Sequence, residues 1–248
     1  MQLIGIDCAT DPRNMGFALG QYRGNTVELE CVLTGTSHPQ NLQQVARWLE
    51  RESDTLLCLD APLGWPGPLA ESLPGHQAGQ GIPASANDLF RREADREVKR
   101  RLNKQPLDVG ADRIARTAWA ALDFLTQLRK LSGLALPLAW SAHPPPPGAS
   151  VIEVYPAATL VAHGLRASGY KQAGDYAWRR EIIHGLGKLL GLPGERQAME
   201  TDADALDATI CMLAGVDFLQ GHCPPPTDMA LTRQEGWIWV REPRTPAC

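Results

Sequence analysis

Gln2-Leu3-Ile4-Gly5-Ile6-Asp7 is a short apolar run that stops on an acid, and the residues that follow keep a period of two: Met15, Phe17 and Leu19, then Val27, Leu29, Cys31 and Leu33. Alternation of this kind predicts β-strands with one face buried. The links 9–13 and 21–25 are short and rich in turn formers, and the second contains Gly24-Asn25. Links this short join antiparallel neighbours, because a parallel crossover needs about a dozen residues or more. The chain therefore opens with three antiparallel strands.

Working outward, Leu42, Val45, Ala46 and Leu49 recur at helical spacing and predict a helix over 39–52. Leu56-Leu57-Cys58-Leu59 is a buried strand bounded by Asp60 and Pro62, parallel to the first because a helix precedes it. Residues 61–87 are rich in Pro, Gly, Ser and Ala, a long loop of the kind that carries function. A charged helix is expected over 88–104 and a more apolar one over 108–132, with Ile114, Trp119, Leu122, Leu125 and Leu128. Pro144 to Pro147 predict a stiff, extended surface segment. Val151–Tyr155 reads as a strand, 157–165, 176–190 and 202–219 as helices, and 237–240 as a late edge strand. No repeat and no linker interrupts the chain. The expectation is one α/β domain over 1–248: a mixed sheet of three antiparallel strands continued by parallel ones, helices on both faces, and a loop and helical insertion at about 61–150.

The 248 residues are 44% hydrophobic and 21% charged, ordinary values for a chain that buries a core. No apolar run is long enough to span a bilayer, which excludes a membrane protein. The N-terminus has no basic region and soon meets Asp7, so it does not read as a secretory signal. Six cysteines (8, 31, 58, 211, 223 and 248) lie scattered without a C-x-x-C pair. That argues against a disulfide scaffold or zinc ribbon and fits reduced thiols in the cytoplasm. The net charge is −4 and the pI about 5.9, so any contact with nucleic acid must use a local basic patch.

The acids carry the chemistry. Asp7 and Asp60 each end a parallel strand, and neighbouring strands would bring both carboxylates to one sheet edge, where sites form in such sheets. Asp204 and Asp207 are three apart on the late helix and share a face close to its core residues Leu206, Ile210 and Leu213. Two like charges ~4 Å apart repel by about 4 kcal/mol at an effective dielectric of ~20. A cluster of carboxylates stays ionised only beside a cation, and hard oxygen donors suit Mg²⁺ or Mn²⁺. Two such ions can activate water and stabilise a leaving oxygen at a phosphodiester. The structural alternative is that Asp7 and Asp60 serve as turn or cap residues. Asp202 is the natural N-cap of the late helix, Asp204 in its first turn is placed to complement the dipole, and Asp207 lies deeper. Glu153, a charge within an apolar strand, needs a metal or an arginine.

Arg91, Arg92, Arg96, Lys99, Arg100, Arg101 and Lys104 alternate with Glu93, Asp95 and Glu97. This is either a solvated helix laced with ion pairs or a phosphate-binding patch beside the acids. Residues 164–171 only superficially resemble a phosphate loop, since Tyr170 stands where the lysine belongs. Gly185 to Lys188 falls inside helical periodicity, so no dinucleotide cofactor is expected. No G-x-S-x-G or H-E-x-x-H occurs, and the six histidines show no metal spacing.

Taken in order, Gly5-Ile6-Asp7-Cys8-Ala9, Leu59-Asp60-Ala61-Pro62-Leu63-Gly64, Phe90-Arg91-Arg92 with Asp95-Arg96, Pro106-Leu107 with Val109, Glu153-Val154-Tyr155-Pro156-Ala157-Ala158, Tyr170-Lys171, Asp204 with Asp207-Ala208, and Glu235-Gly236-Trp237-Ile238 resemble domain-of-unknown-function family 429, a family of predicted ribonuclease H-like nucleases. The resemblance spans nearly the whole chain. It implies a ribonuclease H-like fold with acids on the first strand, the fourth strand and the last helix: Asp7, Asp60 and Asp207, with Asp204 as second helix acid. It also marks Glu153, Arg92, Asp95 and Lys171 as motif positions without established roles. The fourth-strand acid is aspartate, where many nucleases of the fold carry glutamate.

The resulting expectation is a metal-dependent nuclease acting on DNA or RNA. Asp7, Asp60, Asp204 and Asp207 would hold two Mg²⁺ or Mn²⁺ ions, Glu153 and Lys171 would complete the catalytic set, and Arg91, Arg92, Arg96 and Arg100 would bind substrate phosphates. The rivals are an actin-like nucleotide-dependent phosphotransferase, which needs a duplicated core, and a non-catalytic binding module.

Overall fold

Side-chain alternation in the first 34 residues builds the sheet. The computed structural model describes residues 1–143 and 147–243. Strand β1 (Gln2–Asp7) is followed by a 3₁₀ turn (Pro12–Asn14), β2 (Gly16–Arg23) and β3 (Thr26–Thr34). Gly24 and Asn25 both have positive φ, at 55° and 68°, the two-residue turn whose twist matches its flanking strands. Helix α1 (His38–Leu49) leads to β4 (Thr55–Asp60). Helices α2 (Gly67–Ser72), α3 (Ala86–Phe90), α4 (Glu93–Leu102) and α5 (Asp112–Ser132) separate β4 from β5 (Ala149–Glu153). Helices α6 (Pro156–Ala162), α7 (Tyr176–Leu186), α8 (Gln197–Thr201), α9 (Ala203–Leu219) and α10 (Met229–Glu235) complete the order.

The five strands form one mixed sheet in the order β3-β2-β1-β4-β5. β3, β2 and β1 are antiparallel, whereas β1, β4 and β5 are parallel. This is the sheet expected from the strand pattern and from the family resemblance. Alternation divides the core in two. Ile4, Ile6, Leu57, Leu59 and Val151 pack against α1 and α5 on one face. Leu3, Leu56, Cys58 and Ile152 pack against α9 on the other. Every residue of α9 from Ala205 to Leu219 is buried, because the sheet covers one side and α6, α7 and α8 the other.

Glycines let α9 approach closely. A methyl group at Gly5 would overlap the Ala208 carbonyl oxygen, and one at Gly16 the Asp204 carbonyl oxygen. Gly16 is also the register partner of Asp7, so the same close contact brings the start of α9 onto the end of β1.

Several expectations change. The helix expected over 88–104 is two helices, broken at Arg91 and Arg92, where the backbone is extended. The break lets the Arg92 side chain turn inward, and the Asp95 carboxylate accepts from the Arg92 backbone N–H at 2.9 Å to start α4. The late strand at 237–240 is a single bridge from Ile238 to Glu153, with Trp239 N donating to the Glu153 carbonyl at 2.9 Å. Together with the bridge from Leu138 to Val151, it covers the open edge of β5. Glu153 ends its strand instead of lying within it, because Tyr155 and Pro156 begin α6. Most of the four-proline run, 144–146, lies outside the described residues, as does Cys248. The other five cysteines are free, and no helix among the described residues is long and apolar enough to cross a membrane.

Candidate metal centre

Parallel pairing of β1 with β4 puts Asp7 directly beside Asp60, both on the α9 face of the sheet. Asp207, one turn into α9 and fully buried, meets them from above. One carboxylate oxygen from each of Asp7, Asp60 and Asp207 lies within 4.8 Å of the other two. Asp204 lines the same cleft nearer its rim, and Asp202 caps α9, accepting from Asp204 N at 2.8 Å and Ala205 N at 3.0 Å. The cleft has a volume of about 650 Å³.

Local chemistry fixes each group. Tyr170 donates its hydroxyl to Asp207 Oδ1 at 2.7 Å. Lys171 Nζ forms an ion pair with Asp207 Oδ2 at 2.5 Å. Buried Arg179 donates to the carbonyls of Tyr170 at 2.6 Å, Gln172 at 3.2 Å and Glu200 at 2.6 Å, pinning the turn that carries Lys171.

One ammonium faces three or four carboxylates, and the charge does not balance. Burial, then the fields of Asp207 and Asp60, push the Asp7 carboxyl well above its ordinary range. Burial raises Asp60 to about 7 despite Lys171, and raises Asp204 to about 6 with help from Asp202 and Asp207. Burial alone would lower Lys171, but Asp207, Asp60 and Asp7 outweigh it and keep the ammonium charged.

The donor set fits a hard divalent cation: all ligand atoms are carboxylate oxygens, and they converge at one point. A cation must displace the protons that burial holds there. Mn²⁺ affinity is therefore expected to fall by about tenfold or more for each pH unit below about 7, the Asp60 value. In the metal-free protein the same groups bind protons more tightly folded than unfolded. Their contribution to stability is then fully present near pH 4 and is lost as the pH rises towards about 7. Titration calorimetry at pH 5.5, 6.5 and 7.5 checks the first trend; an affinity independent of pH contradicts it.

Glu153 and Arg92 border the same cleft but are committed to each other, and the other expected arginines lie outside it. Glu153 is the register partner of Leu59, so its side chain leaves the sheet on the face opposite to Asp60. There it accepts from Arg92 Nη2 at 2.7 Å, Arg92 Nη1 at 2.9 Å and Leu63 N at 2.9 Å. Arg92 is 1% exposed and also pairs with Asp95 at 2.9 Å, so it does not reach a substrate phosphate. Arg91 pairs with Asp108, Arg96 with Asp88 and Glu93, and Arg100 with Glu97. None of these three lines the cleft, and the expected basic patch is an ion-paired helix surface. Glu235 joins the buried network, accepting from Gly67 N at 2.7 Å and Glu93 N at 2.8 Å.

Sequence reading overlooked Arg113, which lines the cleft beside Lys104 of the expected basic run, and Arg179, which supports it. Arg179 had a visible signal: it shares the core face of α7 with Ile182, Ile183 and Leu186, where a charge requires buried partners.

Fold and site together define a mixed-sheet α/β protein with a buried three-carboxylate centre suited to a divalent cation. The chain belongs to the family described as protein of unknown function DUF429, whose sequence profile matches residues 5–230. No curated protein matches it. Among solved structures it is similar to Thermus thermophilus RuvC in complex with a Holliday junction substrate, with 11% identity, a TM-score of 0.44, and coverage of 91% of this chain and 100% of that one. A second Thermus thermophilus RuvC structure gives 13% identity, a TM-score of 0.39 and the same coverage of 91% and 100%.

Proposed function

We propose that this protein is a divalent-metal-dependent nuclease that hydrolyses phosphodiester bonds in DNA or RNA. The observation that carries this reading is the convergence of Asp7, Asp60 and Asp207 within 4.8 Å at the end of the parallel strands. These three, with Asp204 at the rim, would hold a pair of Mg²⁺ or Mn²⁺ ions. When bound, such ions supply Lewis acidity and a water of lowered pKa. The chain's own residues do the rest. Lys171, exposed over 57% of its side chain, presents a charged Nζ at the mouth of the cleft to hold a phosphate oxygen. Tyr170 and Arg179 fix Asp207 and the Lys171 turn, so these groups are oriented before substrate arrives. Lys104 and Arg113 on the cleft wall hold flanking phosphates in place of Arg91, Arg92, Arg96 and Arg100.

The described residues contain one five-stranded sheet, not the duplicated core of an actin-like phosphotransferase. The five free cysteines suit a reducing, cytoplasmic setting.

Purified protein incubated with Mn²⁺ and a panel of single-stranded, duplex and branched DNA and RNA is expected to cut at least one of them. Chelation should stop the cut and added Mn²⁺ restore it. A protein that binds Mn²⁺ at the cluster and cuts none of the panel would overturn the nuclease reading and favour a binding module.

A further inference from the structure

A second cavity, of about 200 Å³, lies beside the cleft. The two share Cys8 and Ala9 in their walls, so they adjoin. Helix α5 runs past both: Arg113, Ile114 and Thr117 line the cleft, while Trp119, Asp123, Phe124 and Gln127 line the smaller cavity. A polymer lying along α5 therefore passes from the carboxylates to Trp119.

Trp119 is 65% exposed, the most exposed large hydrophobic side chain among the described residues. An indole left in water at the lip of a cavity is unusual, because aromatic side chains normally bury a large area. Behind it, the His38 and Phe124 rings stack with centroids 6.0 Å apart and planes at 28°. The cavity also has a polar edge. Asp123 Oδ2 accepts from Gln127 Nε2 at 2.6 Å, and His38 Nε2 stands 3.4 Å from the same Gln127 nitrogen. Flat apolar walls with a hydrogen-bonding edge match a heteroaromatic ring. An acid in the wall disfavours a phosphate but accepts from an exocyclic amine. Outside the cavity, Arg113 and Arg116 are exposed and form no ion pair among the described residues, so they are available to a phosphate backbone.

We propose that this cavity is a subsite for an unpaired nucleobase beside the scissile phosphate, with Trp119 as its stacking platform and Arg113 and Arg116 on the adjoining backbone. The substrate class is then single-stranded or locally unpaired nucleic acid, since a base inside a continuous duplex cannot reach an indole at the protein surface. The inference rests on the nuclease reading and narrows it.

Binding tests it without turnover. In an Asp7→Asn background with Mg²⁺, fluorescence anisotropy compares a labelled single strand with the blunt duplex of the same sequence. The single strand is expected to bind more tightly. Trp119→Ala should weaken it about 5- to 150-fold, as loss of one stacked base does. Trp119→Phe should retain most of the affinity, and the duplex should be insensitive to both changes. Equal affinity of the Trp119→Ala and parent proteins for the single strand overturns the subsite and leaves the nuclease reading standing. Tighter binding of the duplex also overturns it. A parent protein that binds neither probe overturns both.

Discussion

Asp7→Asn is expected to silence Mn²⁺-dependent cleavage and, in the same protein, to raise the unfolding temperature of the metal-free form. Asparagine keeps the shape of the side chain and removes its charge. Asp7 is 7% exposed, sits in register with Asp60, and shares the ligand cluster with Asp207. Its loss should cost more Mn²⁺ affinity than the roughly 10- to 100-fold that follows removal of a mere supporting partner. The gain in stability has a separate origin. Burial and two neighbouring carboxylates disfavour the ionised Asp7 in the folded protein, whereas the unfolded chain ionises it freely. A neutral side chain removes that penalty and raises Tm, by about 2–4 °C for each kcal/mol regained. Added Mn²⁺ should raise Tm of the native protein and leave the variant unchanged. Calorimetric scans with and without Mn²⁺, beside a cleavage assay, read all three quantities. A variant that melts lower than the native protein and still cuts would refute the assignment of Asp7.

Glu153→Ala is expected to do the reverse: lower stability sharply and leave the carboxylate centre able to bind metal. Both Glu153 oxygens receive the Arg92 guanidinium, and one also accepts from Leu63 N. Removing this acid leaves a buried guanidinium half-paired and a buried N–H without its acceptor. Breaking a buried pair from one side costs about 3–5 kcal/mol, a large share of the roughly 5–15 kcal/mol that holds a typical domain together. Glu153→Gln keeps an acceptor for Leu63 N and should lose less. Urea unfolding measures the difference, and Mn²⁺ titration well below the melting temperature should find affinity within tenfold of the native protein. If Glu153→Ala instead abolished Mn²⁺ binding at unchanged stability, Glu153 would belong to the metal centre after all.

The contrast between these two acids also shows what the sequence could reveal. Alternation in residues 2–33 and the brevity of the hairpin links were enough to establish the antiparallel half of the sheet, and the helix before Leu56 to make β4 parallel to β1. Asp7 and Asp60 were legible because each terminates its strand, so small errors in boundary do not move them. Glu153 was different. Its facing depends on which β4 residue it pairs with, and one step of register flips a side chain to the other face. The arginines of 91–100 failed for another reason. A charged helix reads alike whether its guanidinium groups face phosphate or neighbouring acids, and only the break at Arg92 separates those outcomes. The roles of Lys104, Arg113 and Arg179 depend on contacts between distant segments, which periodicity does not encode.

A ribosome delivers Asp7 and Asp60 well before Asp207. At 5–20 residues per second, roughly 7–30 s of translation separate Asp60 from its helical counterpart. Until α9 docks, the sheet face it covers is open to solvent or to a chaperone, with Leu3, Leu56 and Cys58 there first and Ile152 added once β5 is made. Docking of α9 over Gly5 and Gly16 closes the apolar layer and delivers the third carboxylate in the same event. A chain that stops short of α9 thus exposes that apolar face and lacks the third carboxylate, and the complete cluster arrives only with the docked helix.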